Sequence, residues 1–370
     1  MKIGFDAKRA FHNNTGLGNY SRFVMEGLLK YFPQNEYLAY SKPPNPRWGS
    51  LFDKNLRYLK IPPSGGRGLF LWRSWFIKND LLRDGIQIYH GLSNELPFGK
   101  MPSGIKTVVT IHDLIFERYP KLYPFFDTLI YKIKFRKACK NADAVVAVSK
   151  QTKQDIIDFY GISPAKIHVI YQDCDIAFQV KLNDENLEKV KEKYQIKKKY
   201  ILSVGTIIER KNQAILVAAF HKLNLSNFEL ILVGGHSKYQ DQIEKYIEDN
   251  NIQNVKILNK VPFQDLPAIY QGSELFVYPS FFEGFGIPIV EALHSGVPVV
   301  AATGSCLEEA GGEGALYANP SDINDLADKI LQVLVNKNLK NQLIEAGQKH
   351  VQQFSAERIA VQLNKLYNSI

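Results

Sequence analysis

The chain has 370 residues, 45% of them hydrophobic, without low-complexity tracts; this is enough for two ordinary domains and excludes a disordered chain. Three widely spaced cysteines, Cys139, Cys174 and Cys306, exclude a disulfide framework, and no apolar run approaches the ~20 residues of a membrane span. The net charge of +9 is uneven, with 26 Lys/Arg against 15 Asp/Glu in residues 1–175 and 20 against 22 in residues 176–370.

In chain order, KIGFDA (2–7) reads as a first strand rather than a signal peptide, since its apolar run is too short. A reducing, cytoplasmic compartment is therefore expected. Helical periodicity follows at 18–31, then strands at 86–90, 106–113 and 143–149, helices at 127–140 and 151–159, and a strand at 167–171. The chain turns polar near Gln172–Glu185, which marks a seam. Strands then recur at 200–205, 228–234, 255–258, 274–280 and 297–302, with helices at 212–225, 237–249, 264–271 and 287–295 between and after them. ANPSD (318–322) supplies a turn and N-cap before a helix at 323–334, and a last helical period spans 355–369. Apolar strands alternating with helices predict an α/β chain with two parallel sheets, each covered on both faces. The expected domains are 1–175, with the last helix 355–370 added, and 176–354.

The segment 117–140 mixes Tyr, Phe and Ile with seven Lys/Arg. Two readings stay open: a helix packed on its own sheet, or a helix lying on an anionic membrane surface with basic residues snorkelling to the head groups. No zinc-finger, RNA-recognition or helix-turn-helix signature accompanies the charge, which argues against nucleic acid.

EGFGIPIVEAL (283–293) places Glu283 and Glu291 around a small loop, Gly284-Phe285-Gly286, between a strand and a helix. Its glycines let backbone amides approach a ligand, and Pro288 and Gly296 suit the start and stop of the helix. SVGTIIERKNQ (203–213) puts Arg210 and Lys211 at another strand–helix junction, where two cations suit a diphosphate; Asn212 is the expected N-cap. NNTGLGNYSRF carries Gly16 and Gly18 before a helix, without a full dinucleotide fingerprint. His112-Asp113 ends one strand and His90 ends another, at edges where ligands sit in open α/β sheets.

Together these motifs resemble the retaining glycosyltransferases of family 4, in their order and over nearly the whole chain. The signature is two Glu separated by seven residues around a Gly-Phe-Gly loop, joined by G-T-x-x-x-R-K-N, with Ile208 and Glu209 standing where many members have Glu-Pro. IHDLIF and the segment after His90 are similar to the mannosyl- and rhamnosyltransferase-like branch. The resemblance implies the glycosyltransferase B fold: two Rossmann-like domains facing across a cleft, with the final helix crossing back to the N-terminal domain. It implies that the N-terminal domain takes the acceptor and the C-terminal domain a nucleotide diphosphate sugar. By the same resemblance Arg210 and Lys211 bind the donor phosphates, Glu283 meets the sugar, and Glu291 holds the ribose. Gly16 and Gly18 lie over the phosphates, and Gly284, Phe285 and Gly286 form the donor loop. His112 sits beside the sugar or acceptor hydroxyl, with His90 and Asp113 on the acceptor side.

The implied reaction is retaining hexosyl transfer, with GDP-mannose or a related 6-deoxyhexose nucleotide favoured over a UDP-sugar. The implied acceptor is a glycan or lipid-linked glycan of a surface polysaccharide. Asp173-Cys174-Asp175 has the spacing of a metal-binding Asp pair but falls at the seam, where the family reads Asn-Gly-Val-Asp. It is read as a hinge variant, and no metal or other cofactor is expected because Arg210 and Lys211 meet the phosphates. Two rival readings are a sugar-nucleotide 2-epimerase, which lacks this Glu spacing, and a non-catalytic protein using its basic half to bind a membrane or phosphorylated partner.

Overall fold

The computed structural model describes residues 1–45, 58–60 and 71–370. The chain divides into two units, residues 1–172 with 354–370, and residues 173–353.

The first unit is built on seven parallel strands: β1 (Lys2–Asp6), β2 (Glu36–Tyr40), β3 (Tyr58–Lys60), β4 (Ile88–Gly91), β5 (Lys106–Ile111), β6 (Ala144–Ala147) and β7 (Ile167–Val169). Their order is β3-β2-β1-β4-β5-β6-β7. The second unit repeats the winding with β8 (Lys199–Val204), β9 (Phe228–Val233), β10 (Val255–Leu258), β11 (Leu275–Tyr278), β12 (Val299–Ala302) and β13 (Ala315–Ala318), in the order β10-β9-β8-β11-β12-β13. Each sheet starts at a middle strand, winds to one edge and then reverses. Loops leaving the strands on either side of the reversal part company, and the crevice between them is where such sheets take ligands. The reversal lies between β1 and β4 in one unit and between β8 and β11 in the other. In the second unit β11 pairs with β8 only at Ile201 and Leu202, whereas β8 stays paired with β9 through Val204.

Strand cores are apolar because both faces are covered. Val109, Ile111, Val145 and Ala147 pack with Phe135, Cys139 and Ile156 in the first unit. Ile201, Leu230, Leu232, Leu275 and Val300 pack with Leu216, Phe220, Ile330 and Val333 in the second. All three cysteines are buried, and none forms a disulfide among the described residues.

Strands β2, β3 and β13 were not among the expected ones. Neither EYLAY nor ALYA contains the Val or Ile that marks every expected strand, and a neighbouring strand supplies their pairing partner. The polar seam holds an unexpected helix, Asp184–Lys193, which buries no residue. Its local signals suffice: Asn183 caps it, acids lie in its first turn and lysines in its last. Asp322 caps Ile323–Val335 through the amides of Asn324 and Asp325, as the turn before it predicts.

The C-terminal helix Ala356–Ser369 belongs to the first unit and packs on the Gly16–Tyr31 helix. Gly27 lets the two approach, facing Ala356 and Ala360, and Asn35 donates to Asn364 Oδ1 at 3.1 Å. The Tyr367 hydroxyl meets His90 Nδ1 at 2.7 Å in the buried interior. Tyr367→Phe strands that ring nitrogen and is expected to cost about 1–3 kcal/mol in urea unfolding; a change below 0.5 kcal/mol, on the order of a surface substitution, would contradict this anchor.

Candidate active site

In the second unit, the loop after β8 tightens into a 3₁₀ turn at Glu209–Lys211, and Asn212 takes the left-handed conformation with φ 58°. Asn212 does not cap the following helix with its side chain, contrary to expectation. Its amide donates instead to the carbonyls of Pro279 (3.2 Å) and Pro320 (2.7 Å), because the left-handed backbone turns it away from the helix start. The loop after β11 is stitched to this turn: Phe281 N donates to Arg210 O at 2.9 Å, and Ser280 Oγ lies 3.1 Å from the same carbonyl.

Glu283 sits at the junction of the two loops. Its Oε1 meets Arg210 Nη1 at 2.7 Å and Lys211 Nζ at 2.6 Å, and accepts from Ser280 Oγ at 2.6 Å and Tyr278 OH at 3.1 Å. Arg210 also donates to Phe282 O, and Lys211 to the Tyr278 hydroxyl. Burial alone would raise the Glu283 carboxyl, but Lys211 and Arg210 overcome it and hold it at about 2. Burial lowers the Lys211 ammonium below the ordinary amine range, with Glu283 opposing the shift and Arg210 adding to it.

Gly284-Phe285-Gly286 then leads into the Ile287–His294 helix, with Pro288 in its first turn and Gly296 (φ +72°) beyond its end. Gly286 has φ +122°, and a side chain there would press on Leu307 and Ala310 at 3.0 and 3.2 Å. Phe285 is buried, so it anchors the loop rather than facing solvent. Glu291, one turn on, accepts from Tyr270 OH at 2.7 Å. Burial raises its carboxyl to about 7; Tyr270 opposes this, Asp175 adds to it, and the Lys211 charge opposes it.

Asp173 and Asp175 do not act as a pair. Asp173 Oδ1 meets His294 Nε2 at 2.8 Å and accepts from Cys174 N, and its Oδ2 accepts from Gln179 at 3.2 Å. Asp175 caps the 3₁₀ turn Ile176–Phe178. The segment read as a hinge variant is thus tied to the Glu291 helix through His294. Among the described residues, Asp173, Cys174 and His294 form the group whose donor atoms lie close enough to share a metal ion, within 4.8 Å of one another. Burial pushes the Cys174 thiol well up, which opposes the thiolate a metal needs.

In the first unit, Gly18 lies in the first turn of the Gly16–Tyr31 helix. A side chain there would strike Asn13 O at 1.9 Å, whereas Gly16 faces open space. Asn13 Oδ1 accepts from Thr15 N (2.8 Å) and Gly18 N (3.2 Å), fixing the turn. Gly18 is thereby a packing requirement of the loop, and Gly16 is its open member. His112 follows β5 and is nearly buried. Its Nε2 donates to Leu92 O at 2.9 Å and Tyr20 meets the ring edge-on at 4.6 Å. Burial lowers it to about 4, so the ring is neutral near pH 7; with Nε2 protonated, Nδ1 is left as an acceptor. Asp113 Oδ1 accepts from Ile115 N at 3.1 Å and starts the next helical turn.

His90 requires a correction. It is fully buried, with Nε2 at 2.9 Å from Thr110 Oγ1 and Nδ1 on Tyr367, and burial lowers it to about 3. Thr110 in turn meets Tyr20 OH at 3.0 Å. Both ring nitrogens serve the core, so His90 is not presented to a ligand. Tyr270, Tyr278, Ser280 and His294 were not anticipated as partners of the site. Tyr278 and Ser280 end the apolar run 274–280, but nothing local marks their hydrogen bonds.

Residues 184–350 match the family model "Glycosyl transferases group 1" and residues 40–177 match "Glycosyltransferase Family 4". The chain is 30% identical over 285 residues to the O-antigen chain mannosyltransferase B of Escherichia coli, covering 76% of this chain and 74% of that one. It is 32% identical over 222 residues to the O-antigen chain mannosyltransferase RfbU of Salmonella typhimurium, covering 58% and 57%. A glycosyltransferase structure from Rickettsia africae superposes with a TM-score of 0.76 at 20% identity, over 100% of this chain and 98% of that one. Anabaena Alr3699/HepE in complex with UDP-glucose superposes with a TM-score of 0.76 at 18% identity over the whole of both chains. The fold class is that of the two-domain B-type glycosyltransferases. The chain belongs to the family 4, group 1 glycosyltransferases, and it is a glycosyltransferase enzyme.

The two glutamates are predicted to respond oppositely to amidation. The Glu283 contribution to stability is present above about pH 4.5 and lost as pH falls through about 2. Glu283→Gln leaves two buried cations facing each other and is expected to cost about 3–5 kcal/mol at pH 7. The raised Glu291 carboxyl contributes stability below about pH 4.5 that is lost as pH rises through about 7. Glu291→Gln is therefore expected to equal or exceed the parent at pH 8, by up to about 3 kcal/mol, with the difference closing toward pH 4.5. Thermal unfolding across pH 5–8 reads both; a shared direction would refute the assignment.

Proposed function

We propose that the protein transfers a hexose, with retention of configuration, from GDP-mannose or a related 6-deoxyhexose nucleotide to a glycan or lipid-linked glycan of a surface polysaccharide. The observation that carries the reading is the cluster of Arg210 and Lys211 on Glu283, at the edge where the second sheet reverses. The mannosyl preference is supported by the similarity to two O-antigen mannosyltransferases and by the IHDLIF segment.

In this reading the second unit holds the nucleotide sugar and the first unit the acceptor. Arg210 and Lys211 meet the diphosphate, and their charge stabilises the oxyanion that develops as the sugar C1–O bond breaks. These two cations serve in place of a metal ion. Glu283 orients them and the sugar hydroxyls. Glu291 accepts from the two ribose hydroxyls, which requires its ionised form. The neutral His112 offers Nδ1 to a sugar or acceptor hydroxyl. The acceptor oxygen bonds to C1 on the face the diphosphate leaves, and its proton passes to the departing phosphate oxygen.

Thermal shift with GDP, UDP, dTDP and ADP in EDTA tests the donor site. GDP is expected to raise the midpoint most, by mass action on the native state. No shift with any nucleotide would refute the metal-free donor site, and a larger shift with UDP would refute the mannosyl-type preference. GDP affinity is expected to climb as pH rises from 6 to 8, by up to about tenfold per unit below the Glu291 pKa of about 7 and then to level off. Titration calorimetry should find that dependence flattened in Glu291→Gln. In turnover assays Arg210→Ala is expected to lower kcat by about 10²–10³-fold; an unchanged kcat would remove it from the leaving-group site.

A further inference from the structure

The Phe125–Asn141 helix is two-faced in a way that packing on its own sheet does not explain. Thr128, Phe135, Ala138 and Cys139 are its buried positions, and the last three join the apolar core under the sheet. At about 100° per residue, Phe125, Phe126, Leu129, Ile130 and Ile133 share the opposite side within an arc of about 140°. All five are exposed, Phe125 and Phe126 at 76% each. Arg136, Lys137 and Lys140 continue the same arc through the last two turns, and all three are exposed.

The charges on this face differ from those beside it. Lys132 pairs with Glu117 at 2.8 Å and Lys134 with Glu95 at 3.5 Å, both outside the arc. Among the described residues, Arg136 and Lys140 have no ion-pair partner, and Asp127 is the helix's single acid. The Lys137 ammonium lies 5.7 Å from the centre of the Phe98 ring, and Phe98 lies 5.5 Å from Trp75. The exposed apolar surface thus runs on to Trp75 and Phe76, both more than half exposed.

We propose that this face of the first unit docks on the surface of an anionic phospholipid bilayer. The helix face is exposed, its apolar end projects aromatic rings, and its basic end carries Arg136 and Lys140 with no ion-pair partner among the described residues. A bilayer complements all three, since the rings enter the boundary between acyl chains and head groups while Arg136, Lys137 and Lys140 reach lipid phosphates. Docking concerns a surface apart from the donor cluster, so its failure and that of the donor reading are separable.

Flotation with vesicles tests it on the full chain, without nucleotide. Vesicles of phosphatidylcholine containing about 30% phosphatidylglycerol are expected to carry the protein, and phosphatidylcholine alone much less, with binding falling as salt is raised. Phe125→Ser with Phe126→Ser, and separately Arg136→Glu with Lys140→Glu, are each expected to lower partitioning at least about tenfold. The ligand-free unfolding midpoint of both variants should stay at the parental value, which shows that they fold whether or not nucleotide binds. Absence of vesicle binding, or equal binding by parent and variants, would overturn the proposal. So would a parental dimer, seen by sedimentation, that the Phe variant converts to monomer without any lipid effect, since the face would then join two copies of this chain.

Discussion

A carboxylate removed from water stays ionised only where cations and hydrogen-bond donors replace the lost hydration. Glu283 meets that condition with Arg210, Lys211, Ser280 and Tyr278 on a single oxygen. Because the cations come from the loop after β8 and the carboxylate from the loop after β11, the interaction joins the two loops beside the reversal of the sheet. The backbone bond from Phe281 N to the Arg210 carbonyl depends on the same closure. Two cations are thereby fixed in advance, with little reorganisation left for an anionic ligand to impose.

The same motif holds a second carboxylate in the opposite electrostatic state. Glu283 is held at about 2 by adjacent cations, whereas Glu291, with Tyr270 as its donor and Asp175 nearby, is raised to about 7. Eight positions along the chain separate a permanent anion from a group that titrates near neutrality. Two carboxyl groups set apart in this way are suited to different tasks, one holding cations and one answering to pH.

The histidines of the first unit divide on the same principle. His90 lies within β4, paired in register with Phe5 and Val108, and its ring closes a buried chain of hydrogen bonds from Tyr20 through Thr110 to Tyr367. His112 lies one residue beyond β5, where a single carbonyl holds the ring and Nδ1 is left as an acceptor. Two histidines near the ends of neighbouring strands look alike in a linear reading. Their difference is decided by Tyr367, 277 positions away from His90, which no local pattern announces.

Much was legible in the linear chain because it depends on neighbours in sequence. Apolar runs such as FELILV and LFVY marked buried strands, Pro288 and Gly296 bounded a helix, and the motifs around Glu283 and Arg210-Lys211 marked residues that the structure brings together. Short strands such as β2 and β13, the side-chain role of Asn212 and the Asp173–His294 contact were not legible. Pairing partners and buried hydrogen bonds come from residues far away in sequence, so only the tertiary structure supplies them. The sequence alone determined which residue types were available and the local elements that carry them. The tertiary structure decided which of them are buried, paired and charged, because desolvation and Coulomb energy depend on distances in space rather than positions along the chain.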